Sequence, residues 1–376
     1  MRITDVRAAG LRGATPAGGW SRELRPEDSV HTLVAVHTDA GLIGVGSVFS
    51  SETLVRAAIE QLRPLCVGAD PREPDRLSQL MHENTFWLGR GGAITHSISG
   101  IDTALWDILG QATGLPVSTL LGGRYRERVR PYASVLVDDP PVLADALERL
   151  ADVGFAAFKI GWGHFGRTGA AADEQVVSAA RDAIGGDALL AVDAGGSDAF
   201  WRNGSSWAAR TVDMLAAYDV AWFEEALRPD DLDGYVRLRR TSRVPIAGGE
   251  VLTRRQDFAR YLTAGAFDIV QPDTTKGGGL SESRRVAWLA DDLGVRFIPH
   301  GWNTGIGLAA DLHLAAALPH TDLVEYRTGS AYIDDLIDGG FHLDSDGMLS
   351  VPPGPGLGVG LDHDALARFS PGHRLL

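Results

Sequence analysis

From Tyr125 onward the chain keeps one rhythm: a short apolar run, a polar or Gly-rich end, a stretch of helical period, then the next apolar run. An apolar segment of strand length that feeds an amphipathic helix reads as a βα unit, and strands joined through helices lie parallel. The pattern predicts strands at 129–135, 156–160, 189–193, 221–224, 244–250, 268–271, 295–299 and 323–325. Such a series closes into a barrel whose functional side chains stand at the C-terminal strand ends. The expected fold class is α/β, a modified TIM barrel of the (β/α)7β kind.

The chain before Tyr125 follows other periods. Ile3-Thr4-Asp5-Val6, the run 32–37 and the run 43–46 after the turn Asp39-Ala40-Gly41 read as a strand and a hairpin. From 52 to 120 the period is helical, with Leu54, Ala58, Ile59 and Leu62 on one face and later Ile98, Ile101, Leu105 and Ile108. Between the first two strands, the loop 13–29 carries Trp20, Arg22 and Arg25 at its tip, where they could close over a ligand. The expected division is an α+β domain at 1–124, the barrel at 125–340, and a turn-rich C-terminal segment at 341–376 that returns to the first domain. A chain of 376 residues is long enough for two cores.

Charge and cysteine usage narrow the partners. With 35 basic against 49 acidic residues, a net charge of −14 and no long Lys/Arg run, neither nucleic acid nor an anionic membrane surface is expected to bind. The single cysteine, Cys66, excludes an intramolecular disulfide and a cysteine-built metal cluster, and points to a reducing, cytoplasmic setting. The N-terminus lacks the basic start and apolar run of a signal peptide. The expected partners are a small hydroxy-carboxylate substrate and further copies of the chain in a homo-oligomer.

Three acids stand at consecutive expected strand ends: Asp193 in Ala191-Val192-Asp193, Glu224 in Trp222-Phe223-Glu224 and Glu250 in Gly248-Gly249-Glu250. Barrel closure brings them together, and an all-oxygen cluster of carboxylates calls for a hard cation, favouring Mg²⁺. Glu225 follows Glu224 and is expected to point the other way, into a salt bridge or a supporting contact. Gln271-Pro272-Asp273 and Ile298-Pro299-His300 end the sixth and seventh strands. An Asp beside a His fixes the imidazole tautomer and raises its basicity. Lys159, in Phe158-Lys159-Ile160-Gly161, can steady a carboxylate electrostatically or act as a base if its pKa is lowered. Glu325 closes the eighth strand, either as a protonated donor to a developing oxyanion or as a salt-bridge partner.

This ordered set, each member one βα unit from the next, resembles the mandelate racemase subgroup of the enolase superfamily. Ser99-Gly100-Ile101-Asp102-Thr103-Ala104-Leu105-Trp106-Asp107 with Leu120-Leu121-Gly122-Gly123 is similar to the end of that family's capping domain. The resemblance implies that Asp193, Glu224 and Glu250 are Mg²⁺ ligands and that Asp273 and His300 form the base dyad. It further implies that Lys159 is the first lysine of the strand-two motif, that Glu325 is the strand-eight electrophile, and that the first domain caps the substrate. Two departures stand out. The family's second lysine is Gly161 here, and the position two past the first metal ligand is Gly195, so both glycines are expected to widen the mouth. Trp162, Gly163, His164, Arg167, Ser197, Trp201 and Arg202 lie nearby, and Trp20, Arg22, His164 and Trp302 are the expected substrate contacts.

Racemisation needs a base on each face of the α-carbon, whereas syn dehydration needs one, because a protonated His300 can hand its proton to a β-hydroxyl on the same face. The reading is therefore dehydration of an acid sugar, aldonate or aldarate, to a 2-keto-3-deoxy acid. The alternatives are a racemase, epimerase or cycloisomerase using Lys159 as the opposing group, and a non-catalytic barrel that keeps the metal and binds an acid sugar. A phosphate-binding aldolase or isomerase would use Gly301 to Gly307 as its phosphate loop.

Overall fold

The computed structural model describes residues 1–18, 24–198 and 201–376. Strands β1 (Ile3–Leu11), β2 (His31–Thr38) and β3 (Ile43–Val48) form an antiparallel sheet in that order. Helices α1 (Glu52–Cys66), α2 (Pro74–Asn84), α3 (Gly92–Thr113) and α4 (Val117–Leu120) follow. Gly44 and Gly46, two apart on β3, let α3 lie directly on the sheet. A Cβ at Gly44 would stand 2.1 Å from the Ala104 carbonyl oxygen, and one at Gly46 2.0 Å from that of Gly100. A core of Val6, Val34, Val36, Ile59, Ile98 and Ile101, among others, fills this unit.

The barrel follows as β4 (Arg128–Leu136), α5 (Pro140–Val153), β5 (Ala157–Gly161), α6 (Ala170–Ile184), β6 (Leu189–Asp193), α7 (Ser205–Ala216), β7 (Val220–Glu224), α8 (Leu232–Thr241), β8 (Ile246–Gly248), α9 (Arg254–Ala264), β9 (Ile269–Val270), α10 (Gly279–Asp292), β10 (Arg296–Phe297), α11 (Gly305–Ala316) and β11 (Leu323–Arg327). Its strands pair in parallel in the order β10-β9-β8-β7-β6-β5-β4-β11. This is the expected (β/α)7β barrel, with β8, β9 and β10 shorter than the sequence suggested. Pro245, Pro272 and Pro299 have no N–H for a ladder, and Gly249 leaves the extended region at φ +120°. An isolated parallel bridge between Asp273 and His300 continues the β9/β10 pairing past those prolines.

Inside the barrel, Tyr132, Ala157, Ala191, Trp222, Ala247, Ile269, Ile298 and Leu323 form a separate apolar cluster, one residue on each strand except that Ile298 directly follows β10. This layer is the floor of the site. Side chains two positions further along a strand share its face and rise one level above it. Lys159, Asp193, Glu224, Gln271, His300 and Glu325 each stand two residues beyond a floor residue.

After β11 come α12 (Ala331–Asp334), β12 (Leu349–Ser350) and α13 (His363–Phe369). β12 pairs antiparallel with the start of β4, while the Phe369 carbonyl accepts from the Arg12 N–H at 2.8 Å and the Leu375 carbonyl lies 2.7 Å from His37 Nε2. The α3 sequence that resembles the capping-domain end fastens the parts together. Asp102 accepts from both N–H and Oγ of Ser281 on α10 (2.9 and 2.6 Å), Trp106 Nε1 donates to the same hydroxyl, and Asp107 accepts from Leu357 and Val45 N–H groups. Among the described residues, no helix is long and apolar enough to cross a membrane.

Candidate active site

The barrel mouth opens on a cavity of about 330 Å³ whose lining includes Lys159, Asp193, Glu250, Lys276, His300 and Glu325. Asp193, Glu224 and Glu250 each bring a carboxylate oxygen to within 4.8 Å of the others, and all three are buried. Asp193 and Glu224 end their strands in register with each other. Glu250 reaches the same level from beyond β8 because Gly249 turns the chain. Burial, and after it the negative charge of Glu224, push the Asp193 pKa well above the usual carboxylate range. Buried carboxylates that repel one another across a few ångströms, with oxygen the sole donor type, fit a hard divalent cation between them.

Two of the three acids are aimed by neighbouring donors. Trp222 Nε1 and Gln271 Nε2 donate to Glu224 Oε2 at 3.0 and 2.8 Å, and Trp162 Nε1 donates to Asp193 Oδ2 at 3.0 Å. Lys159 Nζ lies 2.8 Å from Glu224 Oε1, 3.0 Å from Glu325 Oε1 and 3.6 Å from Asp193 Oδ2. Burial favours its neutral form, but Glu224 and Glu325 outweigh burial and raise its pKa well above the usual lysine value. Lys159 is thus a fixed positive charge.

Across the mouth, His300 Nδ1 lies 2.7 Å from Asp273 Oδ2, while His300 Nε2 faces Glu250 Oε2 at 3.3 Å and Glu325 Oε2 at 3.9 Å. Burial lowers the His300 pKa, yet Glu250 and Glu325, with the Asp273 bond, lift it to about 9 against the opposing charge of Lys276. Asp273 stays ionised. Its burial is outweighed by Lys276 and His300, and Thr275 donates N–H and Oγ to its Oδ1 at 2.7 and 2.6 Å. Thr274 Oγ1 and Asn303 Nδ2 both donate to buried Asp311 on α11, tying the Asp273 loop to the His300 loop.

Comparison with known proteins decides the family. Residues 142–365 match the enolase C-terminal domain-like family, and residues 25–122 the mandelate racemase / muconate lactonizing enzyme N-terminal domain. The chain is 34% identical to the D-galactarolactone cycloisomerase of Agrobacterium fabrum, across 98% of this chain and 99% of that one. It is also 34% identical to the D-galactonate dehydratase of Xanthomonas oryzae pv. oryzae, across 89% and 90%. The chain belongs to the mandelate racemase subgroup of the enolase superfamily. The solved 3,6-anhydro-D-galactonate cycloisomerase of Zobellia galactanivorans superposes with a TM-score of 0.88 at 31% identity, covering 98% of this chain and 99% of that one. This member of the superfamily is an enzyme, a hydro-lyase or an isomerase.

Within the subgroup, its departures work differently from the sequence expectation. Gly161 and Gly195 do not widen the mouth. A Cβ on Gly161 would stand 2.3 Å from the Asp193 carbonyl oxygen, and one on Gly195 2.6 Å from the Trp162 ring. Gly195 makes room for the indole of Trp162, which itself adopts φ +58°, while Gly161 lies against the Asp193 backbone. Glu225 makes a supporting contact, as expected. Its φ of +44° breaks the strand alternation, and its buried carboxylate accepts from Ser197 Oγ at 2.5 Å behind the acidic cluster. Burial, then Glu250 and Asp193, raise its pKa well above normal. Glu325 forms the salt bridge that was one of its two expected roles, 3.0 Å from Lys159 Nζ. Burial favours the protonated form, but Lys159 and then His300 overcome it and hold the pKa at about 2, and the carboxylate accepts from Gly301 N–H and Tyr132 Oη.

Of the expected substrate contacts, Trp302 lines the cavity, stacked obliquely on Phe49 at 5.3 Å between centroids. His164 does not line it. Arg167 is held by Asp198. Trp20 and Arg22 lie outside the described residues. The sequence reading passed over Lys276, whose Nζ lies 3.4 Å from Asp273 Oδ2, 3.8 Å from Glu250 Oε1 and 4.6 Å from the Phe49 ring centre. It also passed over Arg327, although a position two past Glu325 shares its face.

Proposed function

We propose that the chain is a Mg²⁺-dependent acid-sugar dehydratase that converts an aldonate or aldarate to a 2-keto-3-deoxy acid. The observation carrying this reading is the one-sided supply of base. His300, oriented by Asp273, faces the carboxylate cluster, while across the mouth Lys159 is locked as a cation and the position of a second lysine is Gly161. Mg²⁺ held by Asp193, Glu224 and Glu250 would supply the charge that lets a carboxylate accept further electron density. Neutral His300 Nε2 takes the C2 proton, and Lys159 adds a fixed positive charge beside the enediolate. His300, now protonated, gives that proton to the C3 hydroxyl on the same face. The C3–O bond breaks, water leaves, and the enol becomes the 2-keto acid. The buried free thiol of Cys66 suits a reducing cytoplasm.

Glu250 is the largest of the charges that raise the His300 pKa. Its engagement as a metal ligand would release the imidazole to act as a base near neutral pH.

The test is turnover of a β-hydroxylated acid sugar in D₂O, following keto acid and the configuration of recovered substrate by chiral chromatography with mass spectrometry. The expected result is keto acid, with recovered substrate either unlabelled or deuterated with retained configuration. Inverted, deuterated acid without keto acid overturns the reading, as does turnover that survives exhaustive chelation.

A second reading, cycloisomerisation of an acid-sugar lactone, is favoured by the full-length similarity to the Agrobacterium and Zobellia enzymes. It uses the same proton abstraction, with the ring oxygen leaving in place of hydroxide. A lactone consumed without loss of water, while free acids are not dehydrated, selects it.

A further inference from the structure

We propose that Arg327 receives a second carboxylate, at the end of the substrate remote from the reacting carbon, so that the site is built for acid sugars with a carboxylate at both ends. This rests on the acid-sugar reading above and narrows it to aldarates and their close derivatives.

Three cationic side chains besides His300 line the cavity: Lys159, Lys276 and Arg327. Lys159 is matched by Glu224 and Glu325, and Lys276 by Asp273 and Glu250. Arg327 has no carboxylate within ion-pair distance among the described residues. Its guanidinium donates to two backbone carbonyls, those of Thr328 and, at 3.1 Å, Ala17 of the capping loop. A guanidinium carries five N–H donors in a fork, so donors remain for a ligand, and a planar carboxylate is the group that fork fits best.

Position supports the charge argument. Glu325 and Arg327 are two residues apart on β11 and share the face toward the mouth, with Tyr132 and Ser134 as their partners on β4. Two residues of strand rise roughly 6.6 Å. The terminal carbons of an extended six-carbon diacid, joined by five C–C bonds of roughly 1.5 Å in zigzag, lie roughly 6 Å apart. A substrate whose reacting carboxylate sits at the level of Lys159, Glu325 and the acid triad therefore places its far end at the level of Arg327.

The experiment compares galactarate with galactonate, which share their stereocentres and differ only in carboxylate or hydroxymethyl at C6. Affinities are measured by calorimetry with saturating Mg²⁺ in a His300→Asn background, where turnover is suppressed. Galactarate is expected to bind about tenfold or more tighter than galactonate, the scale of one charge-assisted contact. Arg327→Gln should erase that preference while leaving galactonate within about twofold. Arg327→Lys, which keeps the charge and loses the fork, should fall between. Equal binding of the two acids by the His300→Asn protein, or an Arg327→Gln loss shared equally by both, overturns the subsite and leaves Arg327 as a strut for the capping loop. The unsubstituted enzyme given the same acids separates the two proposals. Turnover without an Arg327-dependent preference sinks the subsite alone, and an Arg327-dependent preference with no α-proton exchange sinks the acid-sugar reaction alone.

Discussion

On the side of the mouth built by β5, β6 and β7, one ammonium, Lys159, faces Asp193, Glu224 and Glu325. On the side built beyond β9 and β10, Lys276 and His300 face Asp273 and Glu250. The first set has too few cations for its carboxylates and no group whose proton is easily lost. The second is nearly balanced and contains an imidazole. An uncompensated cluster is a place for a cation, and a balanced one is a place where a proton can move cheaply. Charge count alone thus divides the mouth into a binding half and a proton-transfer half, with Glu250 and Glu325 touching both.

The sharpest break of that division is His300→Asn. If proton transfer belongs to this side alone, keto-acid formation and α-proton exchange should both fall, by about 10²–10⁴-fold. Retention of exchange at the parent rate places the base on the other side, with Lys159 the first suspect.

Lys159→Met attacks the other half. It leaves Glu224 and Glu325 buried without their cation, a change that typically costs about 3–5 kcal/mol. Metal-free protein should therefore lose stability to denaturant, and Mg²⁺ should restore part of the loss by taking up the Glu224 charge. Exchange in D₂O should slow while keeping its facial selectivity. A change of face would make Lys159 a proton carrier and erase the contrast.

Lys276→Met tests how the balanced half is tuned. Asp273, Glu250 and Glu325 raise the His300 pKa, while burial and Lys276 lower it. Removing the ammonium moves the pKa up, so the imidazole is protonated over a wider range at its acid side. Activity that depends on neutral imidazole should then rise with pH at a higher pH than in the parent. An unmoved or downward-shifted acid limb shows that Lys276 does not act on His300.

How much of this was legible depends on period. The barrel and the level of its functional residues follow from strand alternation, since Lys159, Asp193, Glu224, His300 and Glu325 stand two past the apolar floor residues Ala157, Ala191, Trp222, Ile298 and Leu323. The same step, taken once more from Glu325, reaches Arg327, and the signal was present but unused. Lys276 lies in a turn, where period carries no facing information. Glu225 makes a supporting contact of the kind expected, to Ser197, from a left-handed residue at the strand end, a conformation that sequence does not announce outside glycine. The two glycines at the mouth were misread. A missing side chain looks like space, but Gly161 and Gly195 are filled by a neighbouring backbone and the Trp162 indole.

Trp162 supplies the smallest and most discriminating test, because it stands on the binding half with its indole against Gly195 and its N–H on a carboxylate of the acidic triad. Its Nε1 bond to Asp193 Oδ2 fixes one oxygen of the acidic triad. Partners of this kind orient a ligand carboxylate, and losing one typically lowers metal affinity by about tenfold or somewhat more. Trp162→Phe keeps most of the ring against Gly195 and removes the donor, so the fold should hold to within about 1 kcal/mol, the net worth of one hydrogen bond. The Mg²⁺ concentration for half-maximal activity should rise about tenfold, with the maximal rate and the face of deuterium uptake unchanged. If the Mg²⁺ requirement stays put while inverted, deuterated substrate appears, the indole acts as a seal on the second face and not as a support for Asp193. The line between the two halves would then be drawn by access to solvent protons and not by charge.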